Sequence, residues 1–420
     1  MNIAIIGAGI IGITTAWELA CDGHQVTVLE RRGAAAEETS FANAGVVAPG
    51  YVTPWASPGM PKKVLSHLFR AHSPVRIGWP LSAADLRWAW AWFRACTPDA
   101  YQLNRARLQQ LAFYSRERLR NLTSNLQLEY DRSEGYMVLL RSEQDRALVE
   151  PGLEVLRQAD VAFKELDAAQ ARAVEPALNP ELDFCGAIHL PDDEVANCRQ
   201  FALLLKSEAQ SAGVRFEFNT PVRHLNRQRP ASLLVDGEAS ERSYDAVVLC
   251  AGTASAQLLD AVGMRLALAP VYGYSLTAAL REPLAAPRSA LMDERYKVAI
   301  SRLGNRIRVA GGAELGGTLQ SQRASSIATL YKVLQDWFPS AAQLANPQMR
   351  VQVWKGARPM LPDGPPIIGG SGLPGLWLNL GHGSSGWALS CGSARLLADL
   401  MRGAEPALDA EGFRVDRLAA

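Results

Sequence analysis

The 420-residue chain has no run of 18 or more apolar residues, so no stretch reads as a membrane-crossing helix. Cysteine is sparse: Cys21, Cys96, Cys185, Cys198, Cys250 and Cys391 form no C-x-x-C pair and no metal-ligand spacing. Several lie in apolar runs, which reads as core thiols in a reducing cytosol. Net charge is nearly absent, at +1, and no Lys/Arg run interleaves with aromatics, which excludes a nucleic-acid groove. The acids from Asp192 to Glu194 lack ligand spacing, and no G-x-S-x-G follows a strand, so neither a metal site nor a nucleophile elbow is expected. The apolar N-terminus lacks a basic leader and is not read as a signal peptide. With 48% hydrophobic and 20% charged residues, the chain reads as an ordinary globular protein of two or three domains.

One absence is local. Residues 39–84 contain no Asp or Glu, yet carry Lys62, Lys63, Arg70 and Arg76 among Trp55, Met60, Val64, Leu65, Leu68, Phe69, Ile77 and Trp79. Trp88, Trp90 and Trp92 follow. A cationic, Trp-rich stretch of this kind suits the plane of an anionic bilayer, so residues 54–96 are a candidate membrane surface. The competing reading is a core filled by tryptophans.

What is present is concentrated at the start. Ile3–Ile6 is a short apolar strand, followed by Gly7, Gly9 and Gly12 in G-x-G-x-x-G. Gly7 permits the tight turn, Gly9 lets a pyrophosphate approach the backbone, and Gly12 lets a helix pack on the strand. The helix from Ile10 to about Cys21 aims its free N–H groups at that pyrophosphate, and Gly23 stops it. A second strand, Val26–Leu29, ends at Glu30, placed to accept hydrogen bonds from an adenosine ribose. Gly7, Ala8, Gly9, Ile10, Ile11, Gly12, Glu30 and Arg31 are therefore the first dinucleotide residues. In the loop that follows, Ser40, Asn43, Ala44 and Gly45 are candidates for a phosphate or flavin edge.

Downstream, helices are expected over 84–95, 104–125, 142–158, 200–212 and 325–337, and strands over 135–141, 187–190, 214–218 and 350–354. The stretch PDDEVANC after Leu190 reads as a loop. Asp245–Cys250 is a buried strand returning to the nucleotide sheet, and with Val222 it brings Ala251 and Gly252 to the cofactor. Val271–Thr277, Lys297–Arg302 and Arg306–Ala310 read as antiparallel strands, the last pair joined at Gly304-Asn305. The expected fold is α/β: a Rossmann-type domain over 1–50, 190–264 and 355–420, interleaved with an α+β substrate domain over 51–189 and 265–354, built on a mostly antiparallel sheet. Near the end, Gly381, His382, Gly383, Ser384, Ser385 and Gly386 run into a helix from Trp387 to Met401. This second helix start aims N–H groups at negative charge. A reduced flavin carries such charge and nicotinamide does not, so FAD is favoured over NAD.

GARPMLPDGPPIIG followed by NLGHGSSGWALSCG resembles the C-terminal signature of the D-amino acid oxidase superfamily. With TSFANAGVVAPGYVTPWASPG, GYSLT and DERYKVAISRLGNRIRVAGGAE, the chain is most similar to the bacterial D-amino acid dehydrogenases of that superfamily, over nearly its whole length. It departs in reading GHGSSGW where that group usually has GHGTLGW, and in a short C-terminal tail. The resemblance implies noncovalent FAD and oxidation of a D-amino acid to an imino acid, which water turns into a 2-oxo acid and ammonia. It also implies a quinone-type acceptor and a cytoplasmic protein, peripheral on the inner face of the membrane. Alternatives are a dehydrogenase of D-proline-like secondary amines, an oxidase of glycine or sarcosine type, or an FAD-holding subunit without its own chemistry.

Such a reaction needs the carboxylate held, the α-hydrogen facing the flavin, and a neutral amine. Arg358 is the expected clamp, because its fork matches a carboxylate and the matching Arg of glycine-oxidase-like relatives has that role. Tyr272 and Tyr274, two apart on a strand, share a side and are candidates to meet the carboxylate or cap the site. Tyr51 and Trp55 are candidates for a lid. His382 is assigned to flavin contact rather than to a general base. Side-chain preference and oligomeric state are left open.

Overall fold

A computed structural model describes residues 1–67, 72–344 and 351–418. Leu68, Phe69, Arg70 and Arg350 lie outside the described residues. The N-terminal strand Asn2–Ile6 is central to a six-stranded sheet. In order across it run Ile367–Gly370, Leu376–Leu380, Ala246–Leu249, Asn2–Ile6, Gln25–Leu29 and Arg215–Glu217. Pairings are parallel except between Ile367–Gly370 and Leu376–Leu380. Alternate residues of one strand enter different cores. Ile3 and Ile5 pack with the helices Ile10–Cys21, Cys198–Ser211 and Gly386–Met401, whereas Ala4 and Ile6 pack with Leu258, Leu259 and Leu268. Burial on both faces is why these strands read as continuous apolar runs.

A second, ten-stranded sheet carries, in order, Gln352–Met360, Ala269–Ala279, Arg306–Leu315, Val298–Leu303, Ala290–Asp293, Arg132–Leu140, Gly186–Ala196 and Val46–Val47, with Val75–Ile77 paired to Arg306–Leu315 and Lys164–Leu166 to Gly186–Ala196 off this path. Most of its pairings are antiparallel, with Ala290–Asp293 parallel to Arg132–Leu140. Its outer face (Leu139, Leu276, Ile300, Ile307, Val309) packs on Leu330, Val333, Leu334 and Trp337 of the helix Ala324–Trp337. Its inner face is small where it faces the nucleotide sheet: Ala299, Ala310, Gly312, Gly273 and Gly356 line a cavity between the sheets. Val46–Val47, Gly186–Ala196 and Gln352–Met360 all belong to the second sheet, so its strands reach across the expected boundaries at 50, 190 and 355.

Three readings change. PDDEVANC is not a loop, because the strand Gly186–Ala196 continues through it. Asp193 and Glu194 are buried there, Asp193 paired with Arg116 at 3.2 Å, so tertiary pairing overrides acidic residues that disfavour strands. The strand expected over 350–354 extends to Met360, which places Arg358 inside the sheet. A three-stranded sheet over Val222–Leu225, Ser232–Val235 and Arg242–Ser243 was not anticipated; its strands are only two to four residues long.

Candidate active site

Both glycine-bearing helix starts open on one cavity of about 1590 Å³. At the first, Gly7 sits at φ +106°, and a Cβ there meets Cys250 O at 2.7 Å. A Cβ on Gly12 meets Gly7 O at 1.9 Å, so strand and helix touch only because both residues lack side chains. Gly9 differs: a Cβ there meets nothing closer than Ser40 Oγ at 3.4 Å, which leaves its backbone open to the cavity. The Ile10 N–H donates to Ser40 Oγ at 3.0 Å. Glu30 accepts from the N–H groups of Ala8 (2.7 Å) and Arg32 (2.8 Å), which fixes its carboxylate at the cavity wall. Ala8 and Gly12 stand behind that wall. Arg31 reaches the rim but is paired with Glu38 at 2.6 Å.

The second start reaches the same space because the two helices pack side by side. Thr14 Oγ1 donates to Ser390 O at 3.3 Å, Asn379 Nδ2 to Thr15 Oγ1 at 3.0 Å, and Arg395 pairs with Glu18 at 2.9 Å. Gly381 (φ +81°) and Gly383 (φ +56°) shape the loop, and Gly383–Ser385 forms one tight 3₁₀ turn before the helix Gly386–Met401. The His382 ring turns inward to Ser393 Oγ at 3.0 Å. Burial pushes its pKa down to about 3, so the ring is neutral and its backbone faces the cavity. Trp387 donates its indole N–H to Ala196 O at 3.2 Å. Gly252 (φ +56°), Ala251 and Val222 complete this wall.

The other end of the cavity rests on the small-residue face of the large sheet. Arg358 extends across it from the edge strand, and Nη1 donates to Gly312 O at 2.8 Å. A Cβ on the cross-strand neighbour Gly273 lies 2.3 Å from Nη2, so only glycine leaves room for the guanidinium. Asp363, the plausible structural partner, is paired with Arg417 at 2.9 Å instead. Among the described residues no carboxylate pairs with Arg358, and burial pushes its pKa down to about 10. Trp55 stands with its ring centroid 6.0 Å from the guanidinium.

Tyr272 and Tyr274 do share a side, but it is the opposite side from Arg358. Tyr274 pairs directly with Lys355, and both rings lie over the Lys355 ammonium, at 4.4 Å for Tyr272 and 5.3 Å for Tyr274. Tyr274 Oη donates to Glu314 at 2.9 Å; Tyr274 lines the cavity and Tyr272 does not. Gly273, between the two tyrosines, lies under the guanidinium, whereas the Tyr274 ring is held towards Lys355 and Glu314. Tyr51 does line it, donating to Glu294 at 2.6 Å.

The whole-chain comparisons agree with this geometry. The model of the family described as FAD dependent oxidoreductase matches residues 2–400. The chain belongs to the FAD-dependent oxidoreductase family. A curated D-amino acid dehydrogenase of Cereibacter sphaeroides is 42% identical over all of this chain and 96% of its own length. One of Bradyrhizobium diazoefficiens is also 42% identical, over 100% of this chain and 99% of its own. The solved glycine oxidase of Geobacillus kaustophilus superposes with a TM-score of 0.73 at 24% identity, covering 99% of this chain and 98% of its own.

The residues fit the FAD that this family carries. Gly9 and Gly252 offer backbone with open space above it, two helix N-termini meet at one wall, and the cavity exceeds the roughly 300–1,000 Å³ of a drug-sized site. Sequence reasoning missed what holds the Ser40–Gly45 loop against that space. Arg308 donates to Asn43 O at 3.0 Å and to Thr277 Oγ1 at 3.0 Å, and Ser301 donates to Ala44 O at 2.7 Å. Burial pushes Arg308 down to about 10. Asn43 spends its side-chain oxygen on the Gly45 N–H, so it shapes the loop. The alternation in RIRVAGG, which puts Arg308 on one face with Ala310 and Gly312, is a signal that can find Arg308.

Proposed function

We propose that the protein oxidises D-amino acids to imino acids, which water hydrolyses to 2-oxo acids and ammonia. The observation that carries this is Arg358: a cavity-lining guanidinium without a carboxylate partner among the described residues, over a floor of glycine and alanine beside the flavin cavity. Curated relatives named D-amino acid dehydrogenase, 42% identical over the full chain, support the substrate class. FAD, when bound, supplies the two-electron acceptor. Arg358 holds the substrate carboxylate in a two-bond fork, with one nitrogen braced on Gly312. The small floor lets the α-carbon lie close to the cofactor wall, and Trp55 and Tyr51 cover it from the loop side. His382, neutral and turned to Ser393, takes no proton, so the substrate ammonium loses its proton to water before the α-hydrogen leaves. The test is anaerobic: D-alanine as sole addition bleaches the flavin absorbance near 450 nm. A spectrum unmoved by every D-amino acid of a panel would overturn the reading.

The same reading extends to a lipid-soluble, quinone-type acceptor met at a membrane surface. No helix among the described residues is long and apolar enough to cross a membrane. The tryptophans divide between the two uses weighed for them. Trp88 is buried, donating to Met360 O at 2.8 Å and stacking on Trp92. Trp79 is 82% exposed and Trp90 64% exposed. Leu86, Trp90 and Phe93 recur at helical spacing on the exposed face of Ala83–Ala95, with Arg87 and Arg94 beside them. Such a face suits the interfacial region of an anionic bilayer. Flotation with anionic liposomes that persists undiminished after Trp79 and Trp90 are both replaced by Ser would refute this surface.

A further inference from the structure

Four cations and one carboxylate line the substrate end of the cavity: Lys63, Arg105, Lys297 and Arg358 against Glu294. Glu294 is already satisfied, since Lys297 pairs with it and Tyr51 donates to it. The other acids of the wall (Glu30, Glu37, Glu38 and Asp236) cluster at the nucleotide end, where Glu38 pairs with Arg31 and Arg32. Arg105 is the anomaly. It projects from the helix Pro98–Asn125 and is only 5% exposed. Its contacts are long: Nη1 to Tyr101 Oη at 3.3 Å and Nη2 to Gly152 O at 3.5 Å. Nε has no partner, and among the described residues no carboxylate pairs with it. Other arginines with little exposure are held more closely. Arg141 meets Asp293 and Asp336 at 2.7 Å each, Arg395 meets Asp22 at 2.6 Å, and Arg308 has two bonds at 3.0 Å. A buried guanidinium left so loosely bonded is costly unless an anion completes it.

We propose that Arg105 forms a second carboxylate subsite of this cavity, distinct from the Arg358 clamp and resting on the dehydrogenase reading for the identity of the anion. Its position supports this. Arg105 is close enough to Tyr51 for its charge to act on that phenol, while Trp55, four residues on, stands by Arg358. The segment Tyr51–Trp55 therefore passes both guanidinium groups along one cavity wall. Two such groups on one wall suit the two carboxylates of an acidic D-amino acid, with the α-carboxylate on Arg358 and the side-chain carboxylate towards Arg105. Arg105 also suits the carboxylate of a molecule entering or leaving along the arm lined by Tyr101, Leu148 and Gly152. Both sources share one chemistry, a carboxylate received by a guanidinium fork.

The experiment uses FAD-loaded protein, with glutarate and butyrate titrated against the flavin absorbance, alongside steady-state kinetics with D-glutamate and D-alanine. An intramolecular second carboxylate predicts glutarate binding at least tenfold tighter than butyrate. Arg105→Gln then abolishes that preference and lowers kcat/KM for D-glutamate at least tenfold more than for D-alanine. A transit site predicts instead that Arg105→Gln lowers kcat/KM for both substrates together, with kcat kept and the dependence on ionic strength flattened. The subsite is refuted if Arg105→Gln changes neither the glutarate preference nor kcat/KM for either substrate by more than twofold. Arg105→Lys keeps stem and charge but loses the fork, and it decides by the same criteria if the Gln variant does not fold. Bleaching of the wild-type flavin by D-alanine tests the dehydrogenase reading separately, so failure of one is told apart from failure of the other.

Discussion

The two ends of the cavity are built on opposite principles. At the nucleotide end the wall is backbone: Gly9 and Gly252 open to the space, helix N–H groups pointing in, and a carboxylate, Glu30, locked by two amides. Its charged side chains are satisfied by one another, as Arg31 and Arg32 are by Glu38. At the substrate end the backbone is closed into a sheet and the recognition falls to long side chains, two of them guanidinium groups that no carboxylate answers among the described residues. A cofactor that stays bound is held by shape and fixed dipoles. A substrate that must come and go is held by a charge it can leave.

If that contrast is right, substitutions at the two ends fail differently. Gly12→Ala has the largest expected effect. Its Cβ lies 1.9 Å from Gly7 O, so the helix must leave the strand, and the purified protein loses its absorbance near 450 nm. Retention of stoichiometric flavin in that variant breaks the comparison outright. Arg358→Lys comes next: flavin stays bound, and KM for D-alanine rises roughly tenfold to a hundredfold, the worth of a charged hydrogen bond or two, with kcat less affected. Gly273→Ala acts on the same group indirectly, placing a Cβ 2.3 Å from Arg358 Nη2. We expect a KM increase of roughly tenfold with flavin content unchanged. Loss of flavin there would show that the ends are mechanically coupled.

The smallest effect is on pH. The unfolded chain protonates His382 near its ordinary value of 6.5, whereas the folded protein resists until about pH 3. A depressed pKa is stabilising above 6.5, and that contribution is lost as pH falls from 6.5 towards 3. His382→Asn removes the titration, costing about 1 kcal/mol at pH 7 through the weakened bond to Ser393 and progressively less at pH 4.5. Urea unfolding of wild type and variant at both pH values measures this; a cost that does not shrink on acidification contradicts a buried neutral ring.

Legibility follows the same division. The dinucleotide turn was readable because each glycine answers a local demand: φ at Gly7, contact at Gly12, access at Gly9. The C-terminal loop Gly381–Gly386 was readable for the same reason. Arg358 was legible as a residue type, but its freedom from a partner was not, since Asp363 turns to Arg417 only in three dimensions. Tyr272 and Tyr274 were only partly legible. Period-two alternation put them on one face beside Lys355, but only the packing shows that Tyr274 reaches the cavity wall and Tyr272 does not. Arg105 was invisible, because on a helix beside Leu108 and Ala112 it reads as an edge residue of a core face.

By itself the chain's order of residues determined the parallel nucleotide sheet, the two glycine-bearing helix starts and the kind of molecule they bind, because those features rest on backbone geometry set within a few residues. Only the tertiary structure decided that both starts share one cavity, that Arg358 and Arg105 lack answering carboxylates among the described residues, and that Tyr272 lies off the cavity while Tyr274 lines it. Pairing and facing are relations between segments hundreds of residues apart, and a sheet's two faces become different only when something packs on one of them.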